Sequence, residues 1–126
     1  MAKRTAGTSK DPIRTNEPAV LILTSLASGT KHGYALTQDI EQFAGVRLGP
    51  GTLYGAITRL EERGLIAPKP SDDRRQPYEI TAAGRAALTE AVREMRVLAD
   101  EGAIRLGLVA GAPRLGLGTA KIGVIQ

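Results

Sequence analysis

The sequence contains no cysteine and no tryptophan, and it has one histidine and one phenylalanine. Without cysteine there is no disulfide framework, no thiolate metal site and no thiol nucleophile. His32 stands alone, so no metal-ligand set is visible, and it reads as a cap or surface residue. Scarce aromatics leave an aliphatic core. The longest apolar run, Ala19 to Leu23, is far too short to span a bilayer. Lys3 and Arg4 are followed by no apolar stretch, so the start does not read as a secretory signal. Paired carboxylates occur only as adjacent, solvent-facing residues, Glu61-Glu62 and Asp72-Asp73. No triad and no metal spacing is present. The expectation is a cytoplasmic protein that is not an enzyme, carries no cofactor and has no membrane partner.

What is present is a chain of 126 residues with net charge +4. That length suits one domain plus ends. The charge permits a polyanionic partner without requiring one. The chain is organised around Gly49 to Gly64. Pro50 suits the first helical position, where a missing N–H costs nothing. Gly64 suits the position just past the last turn, where a left-handed residue is wanted. Leu53, Ile57 and Leu60 recur at i, i+4, i+7, which predicts one buried stripe. The other face carries Thr52, Tyr54, Gly55, Thr58, Arg59 and Arg63. Hydroxyls and guanidinium groups on a slim helix face fit a major groove and its flanking phosphates. An ordinary surface helix is the plainer reading of these residues taken alone.

The flanking segments supply context. Residues 1–16 read as a disordered arm whose Lys3, Arg4, Lys10 and Arg14 could reach phosphates, a plain solvated tail being the commoner case. Glu17 to Ser28 reads as a first helix, buried on more than one side. Thr30 to Ala44 reads as a second, with Leu36, Ile40 and Phe43 as its buried stripe and Gly45 as its stop. Gly33 near its start weakens that helix, so a close backbone approach or an unusual turn is expected there. Val46 to Leu48 reads as an extended bridge and a candidate minor third strand. Leu65 to Pro70 and Tyr78 to Thr81 form a hairpin across the polar turn Ser71 to Pro77, with Pro68 and Pro70 forcing an edge. Arg74 and Arg75 sit at its tip, Lys69 on its flank, and Asp72 and Asp73 beside the arginines. Thr81 suits the N-cap of a last helix, although Gly84 leaves the capping box incomplete. Along that helix Leu88, Ala91/Val92, Met95, Leu98/Ala99, Gly102 and Leu106 recur near a 3.5 spacing, which reads as a pairing seam. Packing back on the first helix is the alternative. Residues 107–126 read as an irregular or disordered tail.

The fold class is therefore mainly α with a small β-hairpin wing: a winged helix-turn-helix plus a C-terminal dimerisation helix. The domains are 1–16 as arm, 17–81 as winged-helix DNA-binding domain, 82–106 as dimerisation helix and 107–126 as tail. The strings His32-Gly-Tyr34, Pro50-Gly-Thr-Leu-Tyr54, Arg59-Leu-Glu-Glu-Arg-Gly-Leu-Ile66 and Tyr78-Glu-Ile-Thr-Ala-Ala-Gly-Arg85 resemble the PadR family of bacterial transcriptional regulators. The resemblance runs from about Glu17 to Leu106 and is to the family's short form. It implies a homodimeric repressor on a palindromic double-stranded DNA operator. It implies DNA contacts at Tyr34, Pro50, Gly51, Thr52 and Tyr54, with Lys69, Arg74 and Arg75 as the basic wing. Thr58, Arg59 and Arg63 join them from the exposed helix face. The dimer interface would use Leu88, Val92, Met95, Leu98, Ala99, Gly102 and Leu106. Gly49 stands where the family commonly has Ser, Gly55 where Pro is common, and the wing turn is rich in Asp. No small-molecule effector site is visible. The rival reading is a winged-helix protein–protein interaction adaptor without sequence-specific DNA binding.

Overall fold

The computed structural model describes residues 17–72 and 74–108. The expected arm (1–16), the tail from 109 and Asp73 lie outside them. The chain divides after Gly84 into two compact units.

The first unit is built on α1, Pro18–Ala27. Pro18 opens it at a position where no N–H is needed. Leu21, Ile22, Leu23, Ser25 and Leu26 are all buried. Burial of three consecutive residues means that α1 is covered on more than one side. Helices α2, Gly33–Ala44, and α3, Pro50–Glu62, pack against it. The sheet has three antiparallel strands: β1, Lys31–His32; β2, Ile66–Pro68; and β3, Pro77–Ile80. Their order is β1-β3-β2, so β3 is central. Ile66 pairs with Ile80, Pro68 with Tyr78, and Lys31 also with Tyr78. The core is aliphatic, with Ile22, Leu26, Leu36, Ile40, Ile57, Leu60 and Ile66 its most enclosed side chains.

Three expectations are corrected. The second helix starts at Gly33 rather than Thr30, because Lys31 and His32 are drawn into the sheet. The minor strand is therefore Lys31–His32, and Val46 to Leu48 pairs with no strand; Leu48 is instead buried in the core. Phe43 remains 47% exposed. It shares the face of Leu36, but it lies in the last turn before Gly45, where no element among the described residues covers it.

One polar cluster, built around a buried serine, has no local signature in the sequence. Ser25 is buried, and its hydroxyl donates to Asp39 Oδ2 at 2.6 Å. Lys31 Nζ donates to the Ser25 carbonyl at 2.6 Å and to Ser28 Oγ at 2.9 Å, and lies 3.9 Å from Asp39. A buried hydroxyl requires a partner, and a cation suits the carbonyl end of α1. The cluster thereby ties α1 to α2 and to β1.

The end of α3 is fixed locally. Gly64 is left-handed, at φ +74°. Its N–H reaches the Glu61 carbonyl at 2.9 Å, while the Leu65 N–H reaches the Leu60 carbonyl at 3.0 Å. This pair of bonds is the Schellman stop. The Thr81 hydroxyl then donates to the Gly64 carbonyl at 2.7 Å and accepts from the Gly84 N–H at 3.0 Å. One side chain thus joins the end of α3 to the start of α4, Ala82–Leu106. The incomplete capping box has a steric cause. A Cβ on Gly84 would overlap the Leu65 carbonyl oxygen and lie 2.8 Å from Ile80 Cγ1.

Tyr78 packs the wing from β3. Burial pushes its phenol pKa up from the ordinary value, and the charges of Glu61 and Tyr54 add to the push.

The second unit, from Arg85, continues α4 with ion pairs Glu90–Arg93 at 3.8 Å and Glu101–Arg105 at 2.7 Å. Gly107, at φ +73°, closes the helix, and the Leu108 N–H reaches the Ala103 carbonyl at 2.8 Å. No helix among the described residues is long and apolar enough to cross a membrane.

Three outcomes follow from this packing. Gly84→Ala should lower the urea-unfolding free energy by more than about 2 kcal/mol, because the Leu65 backbone must move. Gly51→Ala, whose Cβ would meet nothing within 4 Å, should gain up to about 1 kcal/mol from helix propensity. For Tyr78 the raised folded pKa fixes the sign. Its contribution to stability is complete below the ordinary phenol pKa of about 10 and is lost as pH rises through the folded value. Unfolding midpoints measured from neutral into alkaline pH should therefore fall less steeply in Tyr78→Phe than in the parent chain.

Candidate nucleic-acid interface

Helix α3 separates its two faces cleanly. Leu53, Ala56, Ile57 and Leu60 are buried, while Gly51, Thr52, Tyr54, Thr58, Arg59 and Arg63 are exposed. Gly49 caps the helix without a side-chain bond, and Pro50 occupies its first turn. The first-turn amides therefore face outward at the positive end of the helix dipole.

The exposed side chains are not equally available. The Thr58 hydroxyl donates to the Tyr54 carbonyl at 2.9 Å, so its lone pairs, rather than its proton, face outward. Arg59 folds back along the helix, with Nη1 3.6 Å from the place where a Gly55 Cβ would stand. Gly55 thus keeps the face flat beneath a guanidinium. Neither Arg59 nor Arg63 forms an ion pair among the described residues, and Arg63 does not pair with Glu62. Both line a recess with Glu17, Pro18 and Ala19. Tyr54 is 51% exposed, but its hydroxyl end rests against Gly33.

Tyr34 is exposed at the start of α2 and accepts a hydrogen bond from Gln38 Nε2 at 3.2 Å. Tyr34, Gln38, Arg47, Pro50 and Tyr54 border one open groove between α2 and α3. Gln38 and Arg47 were missed in the sequence. Arg47, directly before the third helix, was a visible signal; its charge is paired with Glu41 at 2.8 Å.

The wing cations are partly engaged. Lys69 lies 3.8 Å from Glu79. Gln76 Nε2 staples the turn, donating to the Lys69 and Pro77 carbonyls at 3.0 and 2.9 Å. Arg74 is exposed. Arg75 Nη1 lies 3.2 Å from His32 Nε2, and the Ala35 N–H lies 3.4 Å from His32 Nδ1. A neutral imidazole has one acceptor nitrogen, so its tautomer satisfies one of these two donors. His32 is thus both the N-cap of α2 and a neighbour of the wing tip. Asp72 forms no ion pair with the arginines among the described residues.

The seam residues lie along α4. Leu88 and Gly102 are half-buried; Val92, Met95, Leu98, Ala99 and Leu106 are exposed, Leu98 at 71%. Val97 and Ile104 are also exposed, and their spacing puts them on the opposite side of the helix, outside the seam; Leu108, past the end of α4, is exposed as well. Among the described residues no group of three His, Cys, Asp or Glu could hold a metal ion.

Residues 22–90 match the transcriptional regulator PadR-like family. The chain is 45% identical over 83 residues to a transcriptional regulator of Mycobacterium tuberculosis, a match covering 64% of this chain and 77% of that protein. It is 46% identical over 83 residues to an uncharacterised 37.1 kDa transposon protein of Streptomyces fradiae. That match covers 66% of this chain but only 24% of the relative, so the chain spans about a quarter of it. Among solved structures, a PadR family transcriptional regulator from Eggerthella lenta is 30% identical, with a TM-score of 0.62 over 70% of this chain and 80% of that one. A PadR family regulator from Clostridium difficile shares the fold, with a TM-score of 0.65 at 23% identity, over 72% of this chain and 98% of that one. The family, the Mycobacterium tuberculosis relative and the two solved structures are described as transcriptional regulators, not as enzymes. With its helix order, its three-stranded wing and a family match over residues 22–90, the chain belongs to the PadR-like family of transcriptional regulators.

Proposed function

We propose that this chain is a homodimeric, sequence-specific DNA-binding regulator, acting in the cytoplasm as a repressor that occupies a palindromic operator. The observation that carries the reading is the exposed face of α3, where Thr52, Thr58 and Arg59 stand clear of a fully buried opposite side. In this reading α3 enters the major groove. Arg59 offers the donor fork that suits guanine, and Thr58 offers lone pairs to an exocyclic amine. The free first-turn N–H groups of Gly51 and Thr52 face a phosphate, Pro50 having none to offer. Tyr34 flanks them, while Arg63, Lys69, Arg74 and Arg75 supply further backbone contacts. Residues 17–81 form the reading domain.

Pairing falls to residues 82–106. Leu88, Val92, Met95, Leu98, Ala99, Gly102 and Leu106 would meet a second copy and bury a face that is now largely exposed. Two copies of α3 then sit in successive major grooves, about 34 Å apart. Repression is steric occupation of the site.

The reading is tested by titrating purified protein against DNA from upstream of its own gene and against a shuffled copy, at several salt concentrations. Discrimination of about a thousandfold supports a specific regulator. Equal, weak binding to both favours the adaptor reading. Replacing Arg74→Ala with Arg75→Ala should weaken binding to every sequence and reduce the salt slope by about one for each phosphate that is no longer neutralised; an unchanged slope removes the wing from the account. Introducing Met95→Asp with Leu98→Asp should convert dimer to monomer in sedimentation and abolish operator binding. A dimer that persists would move the seam elsewhere.

A further inference from the structure

Tyr54 is half-exposed on the face read here as facing DNA, which invites the view that its phenol touches a base. The geometry points elsewhere. Its hydroxyl occupies the place where a Gly33 Cβ would stand, with Cζ 2.8 Å and Cε1 3.3 Å from that place. No other glycine in the described residues is overlaid by a side chain's polar end in this way. Gly33 is itself buried, and it is the first residue of α2. Directly before it, His32 caps α2, pairs with Pro77 on β3 and lies beside Arg75 of the wing. Tyr54 lies near enough to Tyr78 of β3 that its charge adds to the upward push on the Tyr78 phenol. The start of α2 and the body of α3 therefore meet at this ring, directly beside the residue through which α2 is tied to the wing.

We propose that Tyr54 is a positioning residue: its ring, seated on Gly33, sets how α3 lies against the start of α2, and position 33 is glycine to admit it. The ring, rather than the hydroxyl, carries the function. The aim of Thr52, Thr58 and Arg59 depends on this seat, and Thr58 is further tied to it through the Tyr54 carbonyl at 2.9 Å. The role in DNA reading rests on the function proposed above; the seat itself does not.

The test uses the full chain and the variants Tyr54→Phe, Tyr54→Leu, Gly33→Ala and the double Gly33→Ala with Tyr54→Leu, each checked for retained helicity. Two readouts are taken. One is the NMR shift of the Gly33 amide and α protons, which a ring seated on them displaces. The other is affinity for the operator fragment and for its shuffled copy. Tyr54→Phe should keep the displaced Gly33 signals and bind the operator within about twofold of the parent. Tyr54→Leu should return those signals to ordinary glycine values and lose about tenfold in operator affinity, a loss equivalent to about 1.4 kcal/mol, with a smaller loss on shuffled DNA. Gly33→Ala should lose a similar factor, and the double variant no more than either single one, because both remove the same seat. The proposal is overturned if Tyr54→Phe loses as much operator affinity as Tyr54→Leu, since the hydroxyl then touches DNA directly. Additive losses in the double variant overturn it as well. If the parent chain does not discriminate operator from shuffled DNA, the DNA reading fails; the Gly33 signals still decide the seat, because undisplaced signals in the parent refute it.

Discussion

Burial of α1 is the constraint on which the first unit depends. Ile22 and Leu26 are almost wholly enclosed, and α2, α3 and β3 all pack around them. Each such side chain contributes about 1.5–3 kcal/mol on leaving water. With few aromatics, no single residue fills much space, so the elements must approach closely. Two glycines mark where that approach is tightest: Gly84, beneath the Leu65 carbonyl, and Gly33, beneath Tyr54. A small aliphatic core and backbone contact at these points are two aspects of one solution.

The polar groups inside this frame act as ties between elements. Ser25, Asp39 and Lys31 join the end of α1 to α2 and to β1. Thr81 joins the end of α3 to the start of α4 through one hydroxyl that donates and accepts. Such groups add little net energy when satisfied but cost much when orphaned. They therefore select one arrangement over its near neighbours, which matters for a helix whose outward face has to be aimed.

What the sequence made legible was mostly local. Pro50 and Gly64 bracket α3 because their effects lie within one turn, and the i, i+4, i+7 stripe separates its faces by geometry alone. Thr81 was visible as a cap for the same reason. The two-residue strand Lys31–His32 was not visible, because its existence depends on Tyr78 and Pro77, more than 40 positions away. Phe43 fitted the period of α2, but periodicity does not reveal where a helix outruns its cover. The candidate site divides in the same way. Exposure of Thr58 and Arg59 followed from the helical period. That the Thr58 hydroxyl turns back to Tyr54, that Arg75 lies beside His32, and that Lys69 neighbours Glu79 are tertiary facts with no local signature.

The sheet has a property that bears on behaviour away from any partner. Its two outer strands, β1 and β2, are two and three residues long, and β2 ends in Pro68, which has no N–H to offer. Exposed strand edges are templates for chain-to-chain hydrogen bonding, and short or proline-ended edges suppress it. The wing can therefore project backbone and cations outward without seeding aggregation, and crowding these molecules together should not draw their hairpins into a common sheet.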